Sequence, residues 1–365
     1  MGFSIERYLP SLAKRFSFVA IGVGISAVIL LVVPAVAAGQ NPIMGVILTV
    51  LLIGWAIAMA AFRSPAIALL RQYAIDTNLS QAMGLLLFAM AMVGAFAGPL
   101  QDWLLALGAP TALGGSSALL VASAGLLRSV NPQRSIMEGQ HQGQYGGQYG
   151  HRPSSETPPE LLPSLKTMPW GSVGRVLLLG GAIAWGLRLL FGSLGPSLTA
   201  VFPSLEPGLA IFAFALTAAF LAVPAGVINS LWGIRKMMMG GAVMLMLTVT
   251  GLQTPLPPNA VIIFLVVSML AWTVVFNGSI PLAFLALTGD RGGLAVGSYF
   301  GGFAGGMALL NWTPLADILE TTSSRAGASG IVFAAIAFLV WQLGKSQPQS
   351  VPQTPKRGKQ PSMGQ

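Results

Sequence analysis

Residues 16–37 read FSFVAIGVGISAVILLVVPAVA, an uncharged run interrupted only by Pro34. About twenty consecutive apolar residues are what a helix needs to cross the hydrocarbon core of a bilayer. The run has none of the period-two alternation of a barrel strand. Backbone groups in lipid must be paired within the segment, so the stretch reads as a helix. No small-residue cleavage site leading into a polar domain follows it, so it reads as a span and not as a cleaved signal.

The pattern recurs along the whole chain. Windows of about 19 residues mark further spans at 43–62, 80–100, 104–127, 174–198, 207–229, 236–252, 259–277, 293–312 and 326–343. The stretch 278–288 is also apolar, which predicts that the eighth helix runs beyond the bilayer. Composition agrees: of 365 residues, 54% are hydrophobic and 8% charged, where soluble domains carry about a quarter charged. The expected fold class is therefore an all-α polytopic membrane protein with ten transmembrane helices. Cysteine is absent, which excludes disulfides, thiolate metal sites and cysteine nucleophiles. No Ser/His/Asp set, metal cluster or paired carboxylate falls in a span, so no enzyme, cofactor or metal is expected.

A net charge of +9 in a soluble protein would suggest nucleic acid. Here it records topology. All of the 19 basic residues except Arg188 and Arg325 fall before the first span, after the tenth, or in alternate connections. The opposite connections hold Asp102, Glu206, Asp317 and Glu320. Cytoplasmic loops collect Lys and Arg, so both termini and the connection around residues 128–173 are predicted to be cytoplasmic, with lipid headgroups as the partners of most of these charges.

Residues 131–169 break the apolar pattern. They are rich in Gly, Gln, Pro and Ser, and GQYG occurs twice. Such a segment cannot bury enough apolar surface to offset its ordering entropy. His141 and His151 here read as solvated linker residues. The predicted organisation is a four-helix membrane bundle over 1–130, a disordered cytoplasmic linker over 131–169, a six-helix bundle over 170–344 and a cytoplasmic tail over 345–365.

Two stretches resemble each other: 62–87, FRSPAIALLRQYAIDTNLSQAMGLLL, and 277–303, NGSIPLAFLALTGDRGGLAVGSYFGGF. Each ends an apolar helix with Ser and Pro, passes a cytoplasmic acid (Asp76, Asp290), and restarts a helix through small residues to Gly84 or Gly297. This pairs spans one to four with spans seven to ten. Between spans six and seven stands 226–237, GVINSLWGIRKM. Gly226 and Gly233 match the glycines, and Arg235 and Lys236 the basic end, of the loop signature G-x-x-x-D-R-x-G-R-R of the major facilitator superfamily. Ser230 and Leu231 replace its acid and first base. Parallel repeats joined by a long cytoplasmic loop are that superfamily's plan, and the chain resembles it in two unequal halves, 4 + 6, with no counterpart of the first two helices. The stretch Arg63-Ser-Pro to Asp76 is similar to the sugar:cation symporter, sucrose-transporter-like branch. The resemblance implies a secondary transporter.

An intramembrane charge is costly and usually faces a bundle interior or a water cavity. Arg188 lies about 13 residues beyond Arg175, roughly 20 Å along a helix, and is the leading solute-binding candidate. Trp185, Trp272, Asn277 and Tyr299 accompany it, because aromatic platforms with a few polar groups suit a small polar solute. Arg63, Arg71 with Asp76, and Asp290 with Arg291 are candidate cytoplasmic gate groups. Gly297, Gly301 and Gly305, with Gly302 and Gly306, form small-xxx-small pairs for helix packing. The expected function is alternating-access transport of a small polar solute, a sugar among the candidates. The alternative is a non-transporting membrane scaffold or assembly factor, which would have a protein partner.

Overall fold

The computed structural model describes residues 9–39, 41–73, 79–130, 168–204, 207–287, 291–312 and 322–345. These fold as α1 (Leu9–Ala37), α2 (Pro42–Tyr73), α3 (Leu79–Ala106), α4 (Ala109–Val130), α5 (Trp170–Val201), α6 (Pro207–Trp232), α7 (Ile234–Gly251), α8 (Pro258–Ala286), α9 (Gly292–Trp312) and α10 (Thr322–Lys345). No strand occurs among the described residues. Most of the linker predicted over 131–169, with His141 and His151, lies outside them.

Each predicted span corresponds to a helix, usually a longer one. α2 runs on past Phe62 to Tyr73, and α8 continues through Pro281 to Ala286. The fourth span differs at its front. Residues 104–106 belong to the end of α3, and α4 begins at Ala109. Gly108 has φ 77° and breaks the helix there. Pro110 then sits in the first turn of α4, where its missing N–H leaves no helical bond unmade.

Nine of the described helices are long and apolar enough to cross a membrane. α7 is the exception, with 18 residues and Arg235 and Lys236 in its first turn. It is nonetheless set deep in the bundle. Met238, Ala242, Leu245 and Val249 recur at helical spacing and are fully buried, packing between α8 and α10.

The packing repeats. α1 lies against α2 and α4, and α7 lies against α8 and α10. α5 pairs with α9, and α3 pairs lengthwise with α6 across the chain's midpoint. α2 meets α9. The buried core belongs mainly to α5 through α10, with Ile67, Leu79 and Met83 added from the front helices. On α2, Ile43, Val46, Val50, Ile53 and Ile57 are exposed, as side chains that face acyl chains instead of water.

Glycine sets the closest approaches. A Cβ at Gly302 would strike the Leu177 carbonyl, one at Gly180 the Tyr299 carbonyl, and one at Gly306 would lie 2.9 Å from the Gly181 Cα. The α5–α9 contact therefore uses Gly302 and Gly306. Gly301 and Gly305 have nothing within 4 Å of a built Cβ, and Gly297 is exposed. The two stripes are one residue, about 100° of helix, apart, and only one can face α5.

Candidate functional site

The first polar cluster lies where α3, α6 and α8 cross. Gly84 of α3 and Gly226 of α6 let the backbones meet: a Cβ at Gly84 would stand 2.7 Å from the Ala222 carbonyl oxygen, and one at Gly226 2.6 Å from that of Ser80. Both would be 3.2 Å from Asn277 Nδ2. Asn277 is fully buried and donates through Nδ2 to the Ala222 carbonyl at 2.7 Å. One turn along α6, Asn229 donates to the Val274 carbonyl at 3.1 Å. Gln81 reaches across from α3 to Ser230 Oγ at 3.1 Å. Three buried oxygens here have no hydrogen-bond partner among the described residues: Ser80 Oγ, Asn229 Oδ1 and Asn277 Oδ1.

The second cluster joins α2, α8 and α9. The Arg63 guanidinium lies 4.0 Å from the centre of the Phe300 ring, an arrangement in which the ring face attracts the cation. The neighbouring Tyr299 is fully buried, and its hydroxyl hydrogen-bonds with that of Ser279 at 2.9 Å. Ser279 also donates to the Phe276 carbonyl at 2.7 Å, and the Phe276 ring stacks on Trp272 with centroids 5.7 Å apart. Trp272 and Asn277 thus belong to one stretch of α8, residues 272–279, which Tyr299 of α9 meets at Ser279.

The remaining candidates spread out. Trp185 donates from Nε1 to the Gly306 carbonyl at 2.9 Å, tying α5 to α9. Arg188 is exposed on α5 and makes no hydrogen bond or ion pair among the described residues. Gly233 closes the α6–α7 turn with φ 91°, a conformation that favours glycine. Arg235 donates to the Trp341 carbonyl at 3.0 Å, and Lys236 is exposed. Asp76, Asp290 and the side chain of Arg71 lie outside the described residues, so of the gate pairs only Arg291 is placed. Sequence reading passed over Asn229, Ser80, Gln81 and Ser279. Asn229 carried a signal, an amide at the end of a span, and such groups commonly bond across helices.

These elements define a class: an integral, multi-pass helical membrane protein with two polar clusters set between its helices. No family model matches the chain, and no curated protein matches it.

Proposed function

We propose that the chain is a secondary transporter of the major facilitator type that moves a small polar solute by alternating access. One observation carries this. The packing of α1 on α2 and α4 is repeated by α7 on α8 and α10, the same pairing that the two related sequence stretches suggest. In this reading α3 and α6 form a surface on which the halves rock. The close approach at Gly84 and Gly226 permits a tight closed state. The solute contacts are Trp272, Asn277 and Tyr299, with Trp185 and Arg188 from α5. Arg63 at Phe300 ties the halves at the end where the basic residues cluster, the cytoplasmic side. The test is counterflow in proteoliposomes against a panel of labelled sugars and other small polar solutes. Saturable exchange reduced by Asn277→Ala and by Tyr299→Phe supports the proposal. No exchange of any solute, by protein that melts cooperatively, counts against it.

Arg188 favours a second reading, a scaffold. No Asp or Glu lies in any of the nine spans, so another copy of this chain cannot neutralise Arg188 within the membrane. A partner helix carrying a carboxylate at that depth can. Transport that survives both Arg188→Ala and Arg188→Lys removes Arg188 from the solute site. Loss of a stoichiometric copurifying protein in the same variants assigns it to a partner.

A further inference from the structure

A cavity of about 710 Å³ opens at the α6–α7 turn, within the size range of small-molecule sites. Ser80, Asn229, Ser230, Arg235, Lys236 and Trp341 supply its polar and aromatic lining, and none of the described residues that line it is acidic. Two helices begin at this cavity. α3 enters it with Ser80 in its first turn. α7 enters it with Gly233, which offers no side-chain cap, followed by Arg235 and Lys236. Neither first turn contains an acid. The positive ends of two helix dipoles therefore add to two cations. Lys345 lies 3.6 Å over the Trp341 ring and extends the positive field.

Two further lining groups define the ligand more closely. Ser80 and Asn229 are almost fully buried, and each has a side-chain oxygen with no partner among the described residues. The Ser80 hydroxyl can donate to an oxyanion. Asn229 Oδ1 only accepts, since its amide nitrogen is held by Val274, so it calls for an O–H on the ligand. Both oxygens are covered in the present packing, and the groups over them must move aside to admit a ligand while Val274 keeps its hold on the Asn229 amide.

We infer that this cavity binds a phosphate ester that carries free hydroxyl groups. The phosphate sits between Lys236, Arg235 and the two helix starts, and a hydroxyl reaches Asn229. The rim residues Leu231 and Trp232 are exposed at the end of a span, which puts the mouth at the depth of lipid headgroups. The same chemistry is offered by a soluble polyol phosphate and by the headgroup of phosphatidylglycerol. The site is read by binding alone, so failure of uptake leaves it standing.

The test uses the full chain in nanodiscs of zwitterionic lipid. Calorimetry with glycerol 3-phosphate probes the soluble source. Native mass spectrometry after addition of phosphatidylglycerol probes the headgroup. The variants are Lys236→Glu, Lys236→Arg and Ser80→Ala. Lys236 is exposed, so its replacement leaves the packing intact, and the melting temperature verifies this. Saturable glycerol phosphate binding, weakened on the order of tenfold in Lys236→Glu and kept in Lys236→Arg, supports the site with a soluble ligand. Absent soluble binding, with phosphatidylglycerol retained by the parent and Lys236→Arg but lost by Lys236→Glu, supports it with a lipid ligand. Neither probe bound, or binding equal in all variants, overturns it.

Discussion

Asn277 shows how much one amide can hold. Its Nδ2 bridges α8 to the Ala222 carbonyl of α6, beside Gly84 of α3. Hydrogen bonds between membrane helices are worth about 0.6 kcal/mol on average and up to about 1.7. Asn277→Ala is expected to destabilise by about 1 kcal/mol, seen as a modest drop in melting temperature in detergent. The glycines carry larger stakes. Gly302→Leu would drive a side chain into the Leu177 carbonyl. Overpacking a tight contact costs about 1–3 kcal/mol and occasionally more, and backbone yields less readily than a side chain. Gly301→Leu, one position away in open space, is expected to be nearly neutral. Equal melting of the two variants would refute the assignment of the packed stripe. The sequence marks both stripes as small residues, but it cannot say which one meets a neighbour. That depends on the rotation of α9, set by α5, and no local pattern records it. Asn277 and Tyr299 were legible because a polar group inside an apolar run stands out. Ser80 and Gln81 were not, since they sit in the first turn of a helix where polar residues are ordinary.

Hydropathy alone placed the helices well and their ends poorly. The α2 window stops at Phe62 because Arg63 follows. The helix does not stop, because Phe300 of α9 offers that charge an aromatic face. α7 was legible as a helix despite Arg235 and Lys236, and its buried stripe of Met238, Ala242, Leu245 and Val249 explains why it holds its place with only 18 residues. The α2–α9 tie predicts that Arg63→Ala loosens one end of the bundle. If the halves rock, counterflow rates should change more than solute affinity. Cation–π pairs are worth roughly 0.5–2 kcal/mol, so a several-fold change in rate is expected, with Arg63→Lys intermediate. Unchanged rates in both variants would remove Arg63 from the gate.

For the whole molecule, the charge map predicts that both chain ends share one side of the membrane with the α6–α7 turn. The chain has no cysteine, so single cysteines can be introduced against a clean background. Cysteines at Ser4, Lys236 and Ser346 are expected to react with an impermeant maleimide only from the cytoplasmic side of intact cells, and one at Gln253 from the other. Labelling of Lys236 and Gln253 from the same side would overturn the topology. The ten helices came from the sequence. The partner of α3 did not. α3 touches α2 and α4 only slightly and lies along α6, a relation between segments far apart in sequence that no local periodicity encodes.

That partnership bears on how the chain is made. Domains generally fold as units, with N-terminal parts first during synthesis. When α4 leaves the ribosome, α1, α2 and α4 can already assemble, but α3 has nowhere to dock until α6 has been made. Until then Gly84 meets lipid, and Ser80 and Gln81 lack the α6 groups they later face. The first four helices are thus an unfinished assembly in which α3 waits in the bilayer. A fragment ending at residue 130 should show α3 selectively sensitive to quality-control proteolysis, and supplying residues 168–365 as a separate chain should protect it.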